Sequence, residues 1–248
     1  MTSFLILMTW GGVTYPWSSW RTLVPLLAGV AGLIFFMVWE GHFAAEPMIP
    51  LRLFKNRSAA AAYFGTFVNG LVLWCLLYYM PLYFEVVKGQ TPVLSGVALF
   101  PMTITVAPAA IVVGIAAVVT GTYRWSIWLG WTLTVLGLGL SYLLDIGTSK
   151  TVWISITLVT GLGTGVLFTG NSLGVQAPAS ERDAGSAVAL SVFLRTFGQA
   201  CGVAMGGVVF QNEIRRRTAS YAIVATHAAD YAANSSALVE VIRAMDLV

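Results

Sequence analysis

The most informative segment of this sequence is Phe193-Leu-Arg-Thr-Phe-Gly-Gln-Ala-Cys-Gly-Val-Ala-Met-Gly-Gly-Val-Val-Phe210. It ends a run of 27 residues, beginning at Ala184, that contains a single charged residue, Arg195. About 20 apolar residues suffice to cross a bilayer as a helix, because each residue adds about 1.5 Å. The run therefore predicts a membrane-spanning helix with an arginine close to its middle.

The charge of Arg195 makes this span costly on its own. A central arginine costs about 2.5–3.5 kcal/mol on insertion scales, and each central Leu, Ile, Phe or Val returns about 0.3–0.6 kcal/mol. Ten such residues lie in the run, so insertion is only marginally favourable unless other helices shelter the guanidinium. We therefore expect a helix bundle with Arg195 facing its interior. An intramembrane charge usually marks a functional site, and snorkelling toward one membrane surface is the alternative.

The spacing around Arg195 defines one helix face. Arg195, Gln199, Gly202 and Gly206 stand at i, i+4, i+7 and i+11 and therefore share a stripe. Gly198, Gly202 and Gly206 also form a series of small residues spaced four apart. This pattern lets another helix backbone approach closely. We interpret these three glycines as helix-packing residues.

The composition indicates a membrane protein and argues against other classes. Of the 248 residues, 58% are hydrophobic and 9% charged, whereas soluble domains carry about 25% charged residues. The net charge is +3, and the basic run Arg215–Arg217 is too short to indicate nucleic-acid binding. Cys75 and Cys201 lie in apolar stretches without a CxxC partner, which favours packing roles over a disulfide or metal site.

Six complete apolar runs of 17–27 residues are separated by polar or turn-rich segments. Runs of this length are helices, since barrel strands are far shorter. Pro101 and Pro108 fall inside the third run and predict a kinked helix. The fold class is thus an all-α membrane bundle, with predicted spans Leu23–Trp39, Ala59–Phe84, Val93–Val119, Ser126–Leu144, Val152–Gly174 and Ala184–Phe210.

The sequence contains no catalytic constellation, so we expect no enzymatic activity, no cofactor and no metal. Both histidines lie outside the spans, no carboxylate lies deep in a span, and no Gly-rich phosphate loop occurs. The polar side chains predicted to be buried are an arginine and three amides on three spans: Arg195, Asn69, Asn171 and Gln199. Each amide alone is explained by an interhelical hydrogen bond, whereas convergence of all four would indicate a solute pathway.

Five motifs in order carry a family resemblance across essentially the whole chain. They resemble the C-terminal half of fungal major facilitator superfamily transporters of the 14-span drug:proton antiporter type. The motifs are Trp10-Gly-Gly-Val-Thr-Tyr-Pro-Trp-Ser-Ser19, Glu46-Pro-Met-Ile-Pro-Leu-Arg-Leu-Phe-Lys-Asn-Arg57, Leu77-Tyr-Tyr-Met-Pro-Leu-Tyr-Phe84, Ser95-Gly-Val-Ala-Leu-Phe-Pro101 and Arg195-Thr-Phe-Gly-Gln-Ala-Cys-Gly-Val-Ala-Met-Gly-Gly207.

The resemblance implies a domain organisation truncated at both ends, in which the N-terminal transporter half and the last span are missing. It divides the chain into the end of a truncated span with its loop (1–22), a linker span with a cytoplasmic loop (23–57), five spans of the C-terminal half (59–210) and a polar tail that precedes the missing span (211–248).

The resemblance also implies a function: export of drugs, toxins or other small molecules by proton antiport across the plasma membrane. The partners it implies are the lipid bilayer, a small-molecule substrate, protons and the missing transporter half, with no nucleic acid. In such folds the substrate binds near the membrane midplane between two rocking repeats. The expected substrate-pathway residues are Asn69, Asn171, Arg195 and Gln199, with Trp74 and Tyr78 as aromatic walls.

A six-span channel or a non-transporting membrane scaffold is the alternative from a different functional class. A pore should show polar faces on several spans or a ring of like charges. The predicted spans carry few polar residues, which favours the transporter.

The two N-x-Ser sequons give a test of topology. Asn56 and Asn234 are separated by five predicted spans, so they lie on opposite sides of the membrane and at most one side is accessible to glycosylation. Charge counting leaves the orientation open, because short loops and the tail disagree. The resemblance places Asn56 in the cytoplasm, so we expect a glycan at Asn234 only. The check is gel mobility before and after enzymatic deglycosylation: Asn234→Gln should abolish the shift. A shift abolished by Asn56→Gln instead would invert the topology.

Overall fold

The computed structural model describes residues 19–42, 51–54, 56–145 and 147–218, and this part of the chain is helical. Short 3-10 turns occur at Leu51–Phe54, Ser141–Leu143 and Glu181–Asp183. The α-helices, numbered in chain order, are α1 Trp20–His42, α2 Arg57–Val86, α3 Pro92–Ala98, α4 Phe100–Thr120, α5 Arg124–Leu140, α6 Lys150–Gln176 and α7 Ala184–Thr218.

Five helical segments within the described residues are long and apolar enough to cross a membrane, and they confirm the predicted all-α membrane class. They are Arg57–Val86, Pro92–Thr120, Arg124–Leu143, Lys150–Gln176 and Glu181–Glu213. The predicted span Leu23–Trp39 lies within α1, where the apolar helix described is the shorter segment Leu23–Gly32. The predicted segments 1–18 and 219–248, which include Asn234, lie outside the described residues.

Local sequence signals account for where the helices begin and end. The side chain of Asn56 caps α2, because its Oδ1 accepts a hydrogen bond from the Ser58 backbone N–H at 2.9 Å. Thr91 caps α3 and is followed by a proline in the first helical turn. Gly121 ends α4 with φ +66°, a left-handed conformation in which glycine carries no steric penalty.

The interruption predicted in the third span is present, and it divides the span into α3 and α4. The break falls at Leu99, and Pro101 occupies the first turn of α4, where its missing N–H costs no hydrogen bond. Pro108 remains inside α4. The last helix differs from the prediction in length, since α7 continues through the polar residues 211–218 to Thr218.

The described helices belong to two compact units, one formed by residues 46–199 and the other by residues 1–45 and 200–248. Within the first unit, side-chain hydrogen bonds join the two ends of α2 to segments far away in the sequence. The Tyr63 hydroxyl donates to the Ala187 carbonyl at one end. At the opposite end, the Tyr83 hydroxyl donates to the Asp145 carbonyl and Lys88 Nζ to the Thr148 carbonyl. The spans therefore run in alternating directions.

Helix α6 is the centre of the first unit and contacts α2, α4 and α5. Half of its most hydrophobic segment is buried, the largest fraction among the five candidate spans. Its glycines allow this: a Cβ added at Gly165 would lie 2.5 Å from the Val106 carbonyl oxygen of α4, and one at Gly163 would lie 2.6 Å from the Thr134 amide nitrogen of α5. Small residues are what permits such close packing in lipid.

A glycine-to-alanine pair tests whether these contacts hold the bundle together. Gly165→Ala should lower the free energy of unfolding by about 1–3 kcal/mol, because the added methyl meets backbone atoms of α4 and forces the helices apart. Gly139→Ala is the matched control, since nothing lies within 4 Å of its Cβ position. There alanine should be neutral or gain about 0.5–1 kcal/mol of helix stability. Thermal unfolding in detergent micelles measures both changes, and equal effects would contradict the packing described.

Candidate functional site

Arg195 lies where α7 crosses α2. A Cβ added at Gly70 of α2 would collide with the Arg195 carbonyl oxygen, and one added at Gly198 of α7 would collide with the Phe67 carbonyl oxygen. The two helix backbones are therefore in direct contact on both sides of this crossing. Arg195 follows Glu181 by 14 residues and precedes Glu213 by 18 in the candidate span Glu181–Glu213. At 1.5 Å per residue these separations are about 21 and 27 Å, so the charge is near mid-span.

The guanidinium of Arg195 reaches α6 and makes two contacts there. Its Cζ lies 3.9 Å from the centroid of the Phe168 ring, within the range of a cation–π interaction. Its Nη2 donates to Ser172 Oγ at 3.3 Å, while the same hydroxyl donates to the Phe168 carbonyl at 2.8 Å. Because the single hydroxyl proton is used on that carbonyl, Ser172 can only accept from the arginine. The Nε of Arg195 is buried and has no hydrogen-bond partner among the described residues.

Two buried asparagines lie on the two helices that Arg195 contacts. Asn171 of α6 is 1% exposed, and its Oδ1 lies 2.9 Å from the Cβ position of Gly65 on α2. Neither its Oδ1 nor its Nδ2 has a hydrogen-bond partner in the described part of the chain. Asn69 is 2% exposed, and its Nδ2 likewise lacks a partner there. The alternative explanation by interhelical hydrogen bonds therefore fails for Asn171 within these residues.

We call Asn69, Phe168, Asn171, Ser172 and Arg195 the Arg195 cluster. Asn69 joins it through α2, because it stands between Gly65, which contacts Asn171, and Gly70, which contacts Arg195. The cluster thus brings three of the four predicted polar residues to neighbouring positions on α2, α6 and α7. The fourth, Gln199, is half-buried one helical turn beyond Arg195.

The aromatic residues expected as pathway walls lie elsewhere on α2. Trp74 is 37% exposed and Tyr78 is 58% exposed. At about 100° per residue they stand roughly 140° and 180° around the helix from Asn69. The structure therefore does not place them on the face of Asn69. Of the predicted packing glycines, Gly198 contacts α2 as described above, whereas Gly202 and Gly206 belong to the other compact unit.

The sequence did not predict Phe168 and Ser172 as the two residues that contact the guanidinium. A weak signal was present, since Ser172 is adjacent to Asn171 inside a span and Phe168 precedes it by one helical turn. Nothing in the sequence indicated that this turn of α6 would face Arg195, because the match depends on how the two helices are packed.

A separate apolar groove of about 590 Å³ lies between α3–α4 and α6. Its walls include Leu94, Phe100, Ile104 and Trp153, and Lys150 stands at its rim at the N-terminus of α6. The groove has the size of a small-molecule site, but none of the Arg195-cluster residues lines it. Among the described residues, no group of three His, Cys, Asp or Glu side chains could hold a metal ion.

Several long apolar helices around a buried mid-span charge define a multi-pass α-helical membrane protein. The chain is 52% identical over 98% of its length to "MFS transporter L2" of Phoma sp., and 40% identical over 86% to the "Acurin A biosynthesis cluster MFS-type transporter" of Aspergillus aculeatus. It is 37% identical over 86% to "Efflux pump FUS6" of Gibberella fujikuroi. The chain belongs to the fungal transporters of the major facilitator superfamily (MFS).

The chain spans 41%, 38% and 39% of the length of these three curated relatives. No protein-family model matches it. The relatives are named as transporters and efflux pumps rather than enzymes.

A double-mutant cycle tests the contact between Arg195 and Phe168. Phe168→Leu, Arg195→Met and the double variant should give a favourable coupling free energy of about 0.5–2 kcal/mol, the range for a cation over an aromatic face. Unfolding of the purified chain in detergent supplies the four free energies. The control cycle pairs Phe168→Leu with Arg124→Met, because Arg124 is exposed at the start of α5. Equal coupling in both cycles would contradict the contact.

Proposed function

We propose that this chain forms part of a secondary transporter that exports small molecules across the plasma membrane in exchange for protons. In this proposal its five long helices are spans of the C-terminal half, and a separate N-terminal half supplies the facing wall of the substrate pathway. The names of the relatives support transport and efflux, and their greater length leaves room for that second half.

The observation that carries the proposal is the Arg195 cluster. A charge near mid-span is held by two side chains of α6. The backbone of the same residue packs against α2, and the buried amide of Asn171 has no partner among the described residues. Unpartnered polar groups in a membrane interior are costly. Their retention at mid-depth is expected where a solute passes, because secondary transporters bind substrate near the bilayer midplane.

The cluster residues have distinct roles in the proposed pathway. Arg195 supplies a fixed positive charge, and Ser172 and Phe168 orient its planar group. Asn171 and Asn69 supply amide donors and acceptors for the polar groups of the solute. Gln199 extends the polar stripe of α7 by one turn. The groove between α3–α4 and α6 offers an apolar surface for the non-polar part of a substrate.

A chimera tests the proposal. Residues 1–248 replace the matching segment of MFS transporter L2, to which the chain is 52% identical over 98% of its length. Expressed in yeast deleted for its own multidrug exporters, the chimera should lower the accumulation of dyes from a chemically varied panel. A protonophore should abolish this efflux. The chain expressed alone should export none of them, because it lacks the facing half.

Two outcomes would overturn the proposal. One is robust dye efflux by the chain alone reconstituted in liposomes under a pH gradient. The other is a chimera that reaches the plasma membrane at the level of the parent transporter and exports no dye that the parent exports.

A further inference from the structure

The charge of Arg195 has no acidic counterpart in the described part of the chain. Its side-chain interactions there are the hydrogen bond to Ser172 and the ring of Phe168. The acidic residues of the described region stand at or near the helix ends: Glu40, Glu85, Asp145, Glu181, Asp183 and Glu213. Even Asp183 precedes Arg195 by 12 residues, about 18 Å along the chain axis of a helix. Among the described residues, the mid-span guanidinium is therefore a cation without an acidic partner.

The geometry leaves part of the guanidinium available to a ligand. Arginine has five N–H donors in one plane, and the described contacts use one donor at Nη2 and one face against Phe168. The Nε donor is buried and unpartnered among these residues, so the donors left for a ligand are those of the terminal nitrogens Nη1 and Nη2 that Ser172 does not use. The ring and the hydroxyl hold the plane in one orientation, so the remaining donors are pre-positioned. A planar array of parallel N–H groups matches a carboxylate, which can accept two of them at once.

We propose that Arg195 binds a carboxylate, and that this carboxylate belongs to the transported molecule. The substrate class is thus a monocarboxylic acid in its anionic form, with an apolar body. A single positive charge is balanced by a single negative charge, and their attraction is strong where water is largely excluded. This inference rests on the proposed transport function. The other source of the same chemistry is a carboxylate side chain of the facing transporter half.

The first test measures binding to the purified 248-residue chain in lipid nanodiscs. The probes share one aromatic body: 1-pyrenebutyrate, its methyl ester and 4-(1-pyrenyl)butylamine. Fluorescence titration at neutral pH should show the carboxylate binding at least tenfold more tightly than the ester, with the amine weakest. Arg195→Gln should remove the preference for the carboxylate over the ester. Arg124→Gln, the matched removal of an exposed arginine on α5, should leave it unchanged.

Two further variants keep the proposal testable if Arg195→Gln fails to fold. Arg195→Lys keeps the charge but loses the planar pair of N–H donors of the guanidinium. The preference for the carboxylate over the ester should therefore fall several-fold without disappearing. Ser172→Ala removes one orienting contact and should weaken carboxylate binding with little effect on the ester. Equal affinity of the wild-type chain for acid and ester would overturn the proposal, as would a preference that survives Arg195→Gln.

Transport by the chimera then identifies the source of the carboxylate. If Arg195→Gln abolishes efflux of the acid and preserves efflux of the ester, the carboxylate is the substrate's, as proposed. If both effluxes are lost at normal expression, the carboxylate belongs to the facing half, and substrate-class selectivity is overturned. Efflux of neutral dyes by a wild-type chimera that shows no acid preference would leave the transport function standing while this inference fails.

Discussion

Close contact between helix backbones at glycine residues holds the described helices of this protein together. Lipid tails are as apolar as leucine, so helices in a membrane associate through van der Waals packing and hydrogen bonds rather than through the hydrophobic effect. The glycines of α6 supply this packing toward α4 and α5, and Gly174 extends it toward Ala62 of α2. Fewer hydrogen bonds join these helices: the buried threonines Thr160 and Thr164 donate to carbonyls of α6 itself, whereas Thr169 donates to the Ala110 carbonyl of α4. Shape, more than polarity, holds this unit together.

This packing places the Arg195 cluster and explains how its charge is tolerated. With α6 fixed against its neighbours, the turn that carries Phe168 and Ser172 faces α7. A cation over a ring contributes about 0.5–2 kcal/mol, and an interhelical hydrogen bond in a membrane about 0.6 kcal/mol. A central arginine costs about 2.5–3.5 kcal/mol, so the two contacts offset much of the cost but not all of it. In the carboxylate-binding proposal, a bound anion would offset the remaining insertion cost of the arginine.

The sequence predicted the class of the fold because hydrophobic run length follows directly from bilayer thickness. It also predicted the break near Pro101 and the buried position of Asn171, since proline and isolated polar residues carry local signals. It did not reveal Phe168 or Ser172 as partners of Arg195, because a cross-helix contact depends on rotation and register of two helices. The role of Trp74 and Tyr78 as aromatic walls stays a prediction. Their angular positions around α2 separate both residues from Asn69, and these angles follow from the sequence spacing alone.

The unit combines two kinds of contact: backbone packing at glycines, which joins the helices, and the polar contacts of the Arg195 cluster. Backbone contacts at Gly70 and Gly198 join α7 to α2 just as glycines join α6 to α4 and α5. The backbone at Arg195 is therefore packed directly against α2. In the proposed alternating-access cycle, its exposure would change through movement of the opposing half and not through rearrangement of its own helix. If the guanidinium keeps one orientation in both states of the proposed cycle, a bound carboxylate would meet the same donors in each, and the facing wall would decide the side to which it is released.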